Sequence, residues 1–385
     1  MGQAVAPSQT SASESLQVGK VLSHAICDSK GELLLPPGQV ITAEFLRWLK
    51  NSHFSEVYLL EPRAAGKATL GTRADPKAVL PYDSLVMQRL DVYYEDMIVS
   101  ISDFANRLLD GQRTRIDEFQ ESVQNYLIQL RVDAAVVLAS CTRSDASLSQ
   151  SRDATLAHRS LLLSVLAIAV ATQLKLNEAD CLTVGIAGAI HDVSLFGEAP
   201  GTSKQRYRDH PRRSCELLLN SYGITPELNI IVGQVHEQCD GSGFPGNLTH
   251  HRLHPLSRLL NVIDAYLTLT EPHGEDGKSF TPADAVAYLV QQALYGYFDR
   301  ECVRALVKTA SVYPVGTLVQ LSDGSTATVL RSTGESYLEP VVQLCDNAGT
   351  IIDLRFSDKI IIAPMGNPDR YRRLSKPALD QVLWS

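Results

Sequence analysis

The sequence predicts a mainly α fold, a helical bundle with small β-rich modules at its N-terminal and C-terminal ends. Three observations lead there. Apolar residues recur at helical spacings from about residue 84 to about residue 310. Alternating apolar runs, broken by Gly and Pro turns, occupy both ends. Hydrophobic residues at 44% and charged residues at 20% of 385 are normal for a globular chain long enough for two or three units.

The elements follow in chain order. Residues 1–15, MGQAVAPSQTSASES, lack the basic start and apolar middle of a signal peptide and read as a disordered polar tail. Residues 16–62 form a small β-rich module with Ser-Lys-Gly and Pro-Pro-Gly breaks and one helix, TAEFLRWLK, for which Thr42 is the expected N-cap. Gly, Pro, Ala and charge make residues 63–83 a linker. Residues 84–140 are a helical hairpin: apolar positions at Val86, Leu90, Met97, Ile101, Phe104 and Leu108 precede a break at Asp110-Gly111, and Ile116, Phe119, Val123, Leu127 and Leu130 follow it. Such a hairpin either packs on the next domain or pairs with a second copy as a short coiled coil. After a polar loop at 141–153, residues 145–310 form the main helical domain, beginning with a long apolar helix from about Ala154 to Gln173. The end of the chain, 311–385, returns to strands: TLVQLSDGSTATVLRS is two alternating runs joined by Asp-Gly-Ser, and PVVQLCDNAGTIIDL repeats the form.

Composition excludes several classes of function. A net charge of −8 argues against a surface that binds long nucleic acid by neutralising phosphates, so any anionic ligand must be met by local positive charge. The seven cysteines, at 27, 141, 181, 215, 239, 302 and 345, form no Cys-x-x-Cys pair, which fits a reducing cytoplasm better than a disulfide framework. The longest apolar run, LLLSVLAIAVAT at 161–172, is shorter than the ~20 residues that cross a bilayer, so no membrane span is expected.

Chemistry concentrates in the helical region. His158 opens the apolar helix, His191-Asp192 ends another, His210 precedes Pro211, His236 ends a third, and Asp264 lies inside the apolar segment LLNVIDAYLTL. A carboxylate in an apolar helix is costly unless its charge is satisfied, and a metal ion would satisfy it. Neutral imidazoles together with carboxylates suit Fe, Mn, Ni or Zn, and an Asp beside a His can bridge two ions that activate water and hold phosphate oxygens. His250, His251, His254 and His273 lie in polar loops and are expected to face solvent.

The segments GAIHDVSLFG, HPRRSCELL, VHEQCDGSGFP, PLSRLLNVIDAYLTLT and YFDRECVRALVKTASVYPVGTLVQL, in this order, resemble the HD-GYP family of HD-domain metal phosphohydrolases. The resemblance runs collinearly over roughly residues 145–320. It implies an HD-type helical bundle with two or three metal ions that hydrolyses cyclic di-GMP to pGpG and sometimes to GMP in bacterial second-messenger signalling. Carried over by position, the metal ligands are His158, His191, Asp192, His210, His236 and Asp264, with His191 and Asp192 also catalytic. Arg258, Gly243, Phe244 and Pro245 stand at substrate-binding positions. Gly-Phe-Pro at 243–245 replaces the family's Gly-Tyr-Pro, in a loop associated with signalling partners such as diguanylate cyclases. LQVGKVLSHAICDSKGELLLPPGQVIT also looks like a module that often precedes this domain.

Departures from the pattern are specific. Val235 stands where a second histidine is usual, Ser194 and Leu195 replace a Gly-Lys pair whose lysine meets the scissile phosphate, and Ala154 replaces the glutamate of three-metal members. Leu267 replaces the second acid of the Asp motif, and TEPHGEDGKSF replaces the Arg-Pro-Tyr-like segment after it. The remaining ligands suffice for one or two ions. Two functions stay open: a cyclic di-GMP phosphodiesterase, or a catalytically degenerate domain that binds cyclic di-GMP or a partner protein.

Overall fold

A computed structural model of the chain describes residues 10–11, 16–22, 24–29, 32–51, 57–60, 84–141, 151–198, 203–271, 279–346 and 350–364. The linker expected at 63–83, most of the polar loop at 141–153, and His273 lie outside these residues. The described residues group into two compact units, one from 1–81, 272–291 and 310–374, the other from 82–271 and 292–309.

The first unit joins both β-rich ends of the sequence. Strands β1 (Thr10–Ser11), β2 (Ala25–Cys27), β3 (Leu33–Leu35) and β4 (Val57–Leu60) form an antiparallel sheet in the order β1-β4-β2-β3, accompanied by helix α1 (Ala43–Asn51). Thr42 caps α1 as expected, its Oγ1 accepting the Phe45 N–H at 3.0 Å. Within the expected polar tail, Thr10 and Ser11 pair with Tyr58 and Val57. Edge pairing uses main-chain groups alone, so no apolar pattern announces it.

The second unit is helical. Its elements are α2 (Ser84–Leu109), strand β5 (Thr114–Arg115), α3 (Gln120–Cys141), α4 (Arg152–Gln173), α5 (Glu178–Ile190), α6 (Lys204–Leu218), strand β6 (Ser221–Tyr222), α7 (Pro226–Gly233) and α8 (Pro255–Thr270). The hairpin of α2 and α3 buries its predicted apolar face: Leu90, Met97, Ile101, Phe104 and Leu108 on one arm, Val123, Leu127 and Leu130 on the other. Phe104 meets Phe119 edge to face at 5.0 Å, closing the turn. Gly111 supplies a φ of +74° at the break. The short parallel pair β5–β6 ties this turn to the α6–α7 connection, helped by a 2.6 Å bond between Thr114 Oγ1 and Ser221 Oγ.

Helix α4 is the one described helix long and apolar enough to cross a membrane, but 67% of its apolar window is buried inside the protein. It is the central core helix, and α5 packs closely along it. Glycine makes that approach possible: a Cβ at Gly188 would lie 2.9 Å from the Ser164 backbone. Asn177 caps α5 by accepting the Asp180 N–H, Thr225 caps α7 by accepting the Leu228 N–H, and proline opens both α7 and α8.

Helix α9 (Pro282–Leu294) starts in the first unit and ends in the second, which also holds most of α10 (Arg300–Ala310). The last strands, β7 (Leu318–Leu321), β8 (Thr326–Arg331), β9 (Val341–Leu344), β10 (Ile351–Asp353) and β11 (Ile361–Pro364), form an antiparallel sheet in the order β10-β9-β8-β7-β11. The expected Asp-Gly-Ser hairpin joins β7 to β8. Inside the first unit the N-terminal module meets α9, with Gln39 Nε2 donating to Asp284 Oδ1 at 2.8 Å, and the last strand, where a Cβ at Gly38 would lie 3.8 Å from Pro364 Cδ.

Candidate metal centre

Three helices in the second unit, α5, α6 and α7, deliver three of the four predicted histidines to one buried spot. His191 closes α5, and its Nδ1 lies 2.9 Å from the Gly188 carbonyl. Carbonyls in the last turn of a helix have no helical partner, so this one is free to fix the ring. His210 achieves the same within α6. Pro211 lacks an N–H and leaves the Tyr207 carbonyl, four residues earlier, without its helical donor; His210 Nδ1 takes that carbonyl. His236 follows α7, and its Nδ1 lies 3.1 Å from Asp264 Oδ2 on α8. Asn261, one turn before Asp264, donates to the Val235 carbonyl at 3.1 Å and pins the same stretch.

With Nδ1 of each ring holding a proton for its acceptor, Nε2 of the neutral ring is left with a lone pair. All three Nε2 atoms face Asp192: His191 at 3.1 Å, His210 at 2.9 Å and His236 at 3.9 Å. Despite these approaches, His191 Nε2, His210 Nε2, His236 Nε2 and Asp192 Oδ1 are buried atoms without an aligned hydrogen-bond partner. Ligand atoms of His191, Asp192 and His236 lie within 4.8 Å of one another. Buried polar atoms are otherwise nearly always paired, so four that are aimed at one another and unbonded fit a cation held among them.

The electrostatics agree. Burial alone pushes the Asp192 carboxyl up, but the His191 imidazole and the His210 and His236 rings outweigh it and hold the group well below the usual carboxylate range. Burial pushes His210 down against the pull of Asp192, which keeps a neutral, ligating imidazole near pH 7. His236 is pushed up to about 9, because Asp264 and Asp192 outweigh its burial. An ion held here would displace a proton from His236.

Asp264 has a second partner that the sequence reading missed. Arg159 Nη2 lies 2.7 Å from Asp264 Oδ1 and 2.6 Å from Thr268 Oγ1, while its Nη1 pairs with Glu271 Oε2. The charge expected to be satisfied by a metal is thus shared by His236 and Arg159. A signal was present: Arg159 lies in an apolar helix, the same anomaly that drew attention to Asp264. Of the six expected ligands, five are linked in one cluster. The sixth, His158, has its Nδ1 2.7 Å from the Tyr94 hydroxyl.

Other predicted residues fall into separate places. The Phe244 ring stacks on His236 at 5.1 Å and 9°, and the Arg208 guanidinium sits 4.9 Å from the centroid of the same ring. Tyr207 packs at 4.9 Å from His210 and 6.1 Å from His236. Gly243 is required sterically, since a Cβ there would lie 2.3 Å from the Gln238 nitrogen. The Gly-Phe-Pro turn is braced by Glu237, whose carboxylate accepts the N–H groups of Gly246 and, at 2.9 Å, Leu248. The Phe244–Pro245 peptide is cis. Arg258 is engaged elsewhere, 3.2 Å from Asp299, which also pairs with His250. His254 caps α8 and pairs with Glu227, and His251 is exposed. Leu195 and Val235, the two apolar departures, are buried in the core.

Comparison with known proteins places this geometry. Residues 142–302 match the family model described as HD domain. Over 195 residues the chain is 30% identical to the cyclic di-GMP phosphodiesterase PA4108 of Pseudomonas aeruginosa, covering 48% of this chain and 46% of that protein. It is 28% identical over 152 residues to the cyclic di-GMP phosphodiesterase response regulator RpfG of Xanthomonas campestris pv. campestris, covering 36% of this chain and 39% of that one. The chain thus spans less than half the length of the curated relatives it matches. Among solved structures, the HDG"Y"P protein Bd1817 of Bdellovibrio bacteriovorus aligns with a TM-score of 0.45 at 17% identity, over 77% of this chain and 97% of that one. Residues 142–302 are thus similar to HD domains, and the chain is similar over that region to proteins named as cyclic di-GMP phosphodiesterases.

Proposed function

We propose that this chain is a metal-dependent phosphodiesterase that hydrolyses cyclic di-GMP to pGpG or GMP in the cytoplasm, with His191, Asp192, His210 and His236 holding a divalent ion. The observation that carries the reading is the convergence of three Nε2 atoms and Asp192 Oδ1, all buried and without hydrogen-bond partners. A bound ion polarises a phosphoryl oxygen and makes water nucleophilic at neutral pH. The chain's own groups orient the substrate around it. Gly188, Tyr207 and Asp264 fix the three ring tautomers. Phe244 covers one face of His236 and excludes water from that side. Tyr207, whose hydroxyl burial keeps protonated, is a neutral hydrogen-bond donor beside His210. Arg208 makes no ion pair among the described residues and meets the substrate phosphate in place of the lysine that Leu195 replaces.

Relatives named as cyclic di-GMP phosphodiesterases support the substrate, and another, 23% identical, is named a 3'3'-cGAMP-specific phosphodiesterase of Vibrio cholerae. All seven cysteines are free, which supports a reducing compartment. The braced Gly-Phe-Pro turn is proposed as the docking point for a signalling protein such as a diguanylate cyclase.

The test is incubation of Mn2+-loaded protein with cyclic di-GMP. Release of pGpG, lost in His191→Ala and His210→Ala variants that remain folded, is the expected result. Binding without turnover in the wild type favours the degenerate, ligand-binding domain instead.

A further inference from the structure

The Arg159–Asp264 pair bears on how many ions the centre takes. We propose that Arg159 is a positioning residue: its guanidinium holds Asp264 as the hydrogen-bond acceptor of His236 and supplies the positive charge there, so that the centre takes one divalent ion. The inference rests on the metal-centre reading above and goes beyond it in stoichiometry and in the role of Asp264.

Geometry is the first argument. Both Asp264 carboxylate oxygens are engaged, Oδ2 by His236 Nδ1 at 3.1 Å and Oδ1 by Arg159 Nη2 at 2.7 Å. Arg159 is itself fixed on four sides, by the Asp264 carboxylate, the Asp264 backbone carbonyl at 3.2 Å, Thr268 Oγ1 at 2.6 Å and Glu271 Oε2. Its side chain is 13% exposed and that of Asp264 9%. A planar guanidinium held by a fork of acceptors in a buried place is a fixed charge, and a cation approaching Asp264 meets that charge at short range.

Charge balance is the second. The acids bonded into this network are Asp192, Asp264 and Glu271, and Arg159 is its one cationic side chain apart from the histidines. Three negative charges against one positive leave two, which a single divalent ion neutralises. A second divalent ion leaves a buried net positive charge, which is strongly disfavoured.

The experiment is Mn2+ titration of the metal-stripped protein, with bound Mn2+ per chain counted after dialysis and the bound ion examined by electron paramagnetic resonance. The wild type is expected to saturate at one Mn2+ per chain with the spectrum of an isolated ion. Folded Arg159→Ala, which frees Asp264 Oδ1 and Glu271, is expected to take a second Mn2+ and show spin coupling. Asp264→Asn is expected to keep its single ion with about 10- to 100-fold weaker affinity, as for loss of a group that orients a ligand. Two ions in the wild type, one ion in folded Arg159→Ala, or complete loss of the ion in folded Asp264→Asn each overturns the proposal. Wild-type protein that binds no Mn2+ at all overturns the metal-centre reading beneath it. If Arg159→Ala does not fold, the wild-type count and Asp264→Asn decide.

Discussion

Gly188→Ala tests whether the α4–α5 contact sets the centre. The added Cβ would lie 2.9 Å from both Cα and N of Ser164 and 3.1 Å from the Leu163 carbonyl carbon. Carbon atoms pack best at about 3.5–4.0 Å, so α5 must move away by roughly 0.5 Å or more, and backbone atoms cannot rotate aside. Overpacking of this kind costs about 1–3 kcal/mol. Alanine in a helix gains about 1 kcal/mol over glycine, which offsets part of that cost. The net expectation is a loss of about 1 kcal/mol, or about 2–4 °C in Tm for a unit of this size. Function suffers more, because Gly188 also supplies the carbonyl that fixes His191, and His191 and Asp192 follow within four residues. Loss of such support lowers metal affinity by about 10-fold or more. Thermal melting in chelator and Mn2+ titration read the two effects separately. Gly185→Ala is the control, since its Cβ would press on side-chain atoms of Ile168 and Val123, which can yield. A Tm that rises in Gly188→Ala, as helix propensity alone requires, with unchanged Mn2+ affinity, refutes the reasoning.

Three further outcomes are expected. In metal-stripped protein, Asp264 is held well below the usual carboxylate range: burial opposes this, but the charges of His236 and Arg159 outweigh it, so its contribution to stability is present above about pH 4 and lost as pH falls. The raised His236 contributes fully below about pH 6.5 and loses its contribution as pH rises through about 9, so the urea midpoint should be higher at pH 6 than at pH 9.5; an equal or higher midpoint at pH 9.5 contradicts the pairing. Burial pushes Cys27 up to about 12 and Cys215 and Cys239 up to about 11, while Cys345 is exposed, so mass spectrometry after brief alkylation at pH 8 should find Cys345 modified first. The Leu195→Lys, Val235→His double change should raise turnover of cyclic di-GMP by about 100-fold, the value of one phosphate contact, while lowering Tm, because both positions are buried; unchanged turnover shows that these positions do not limit catalysis.

The helices were legible because their apolar faces repeat with the helical period, and the two hairpin arms bury the residues that the spacing selects, apart from half-buried Val86 at the start of α2. The unit that joins the N-terminal strands to α9 was not legible, since contacts such as Gln39 to Asp284 join residues 245 apart and leave no local pattern. In the centre, the dipeptides carried the signal. His191-Asp192 at a helix end and His210-Pro211 within a helix each leave a backbone carbonyl free to hold an imidazole, so their spacing encodes a tautomer as well as a position. Asp264 was legible as an anomaly but not in its role. An acid in an apolar helix requires a positive partner, and the sequence does not say whether that partner is a metal, a histidine or an arginine. Arg159 poses the same question from the other side, as a cation in an apolar helix. Two such anomalies of opposite sign, on helices that pack together, are each other's simplest solution. Motif spacing assigns the neighbours His158 and Arg159 to a site equally, while a helix turns successive side chains by about 100°, so Arg159 meets Asp264 while His158 Nδ1 meets Tyr94.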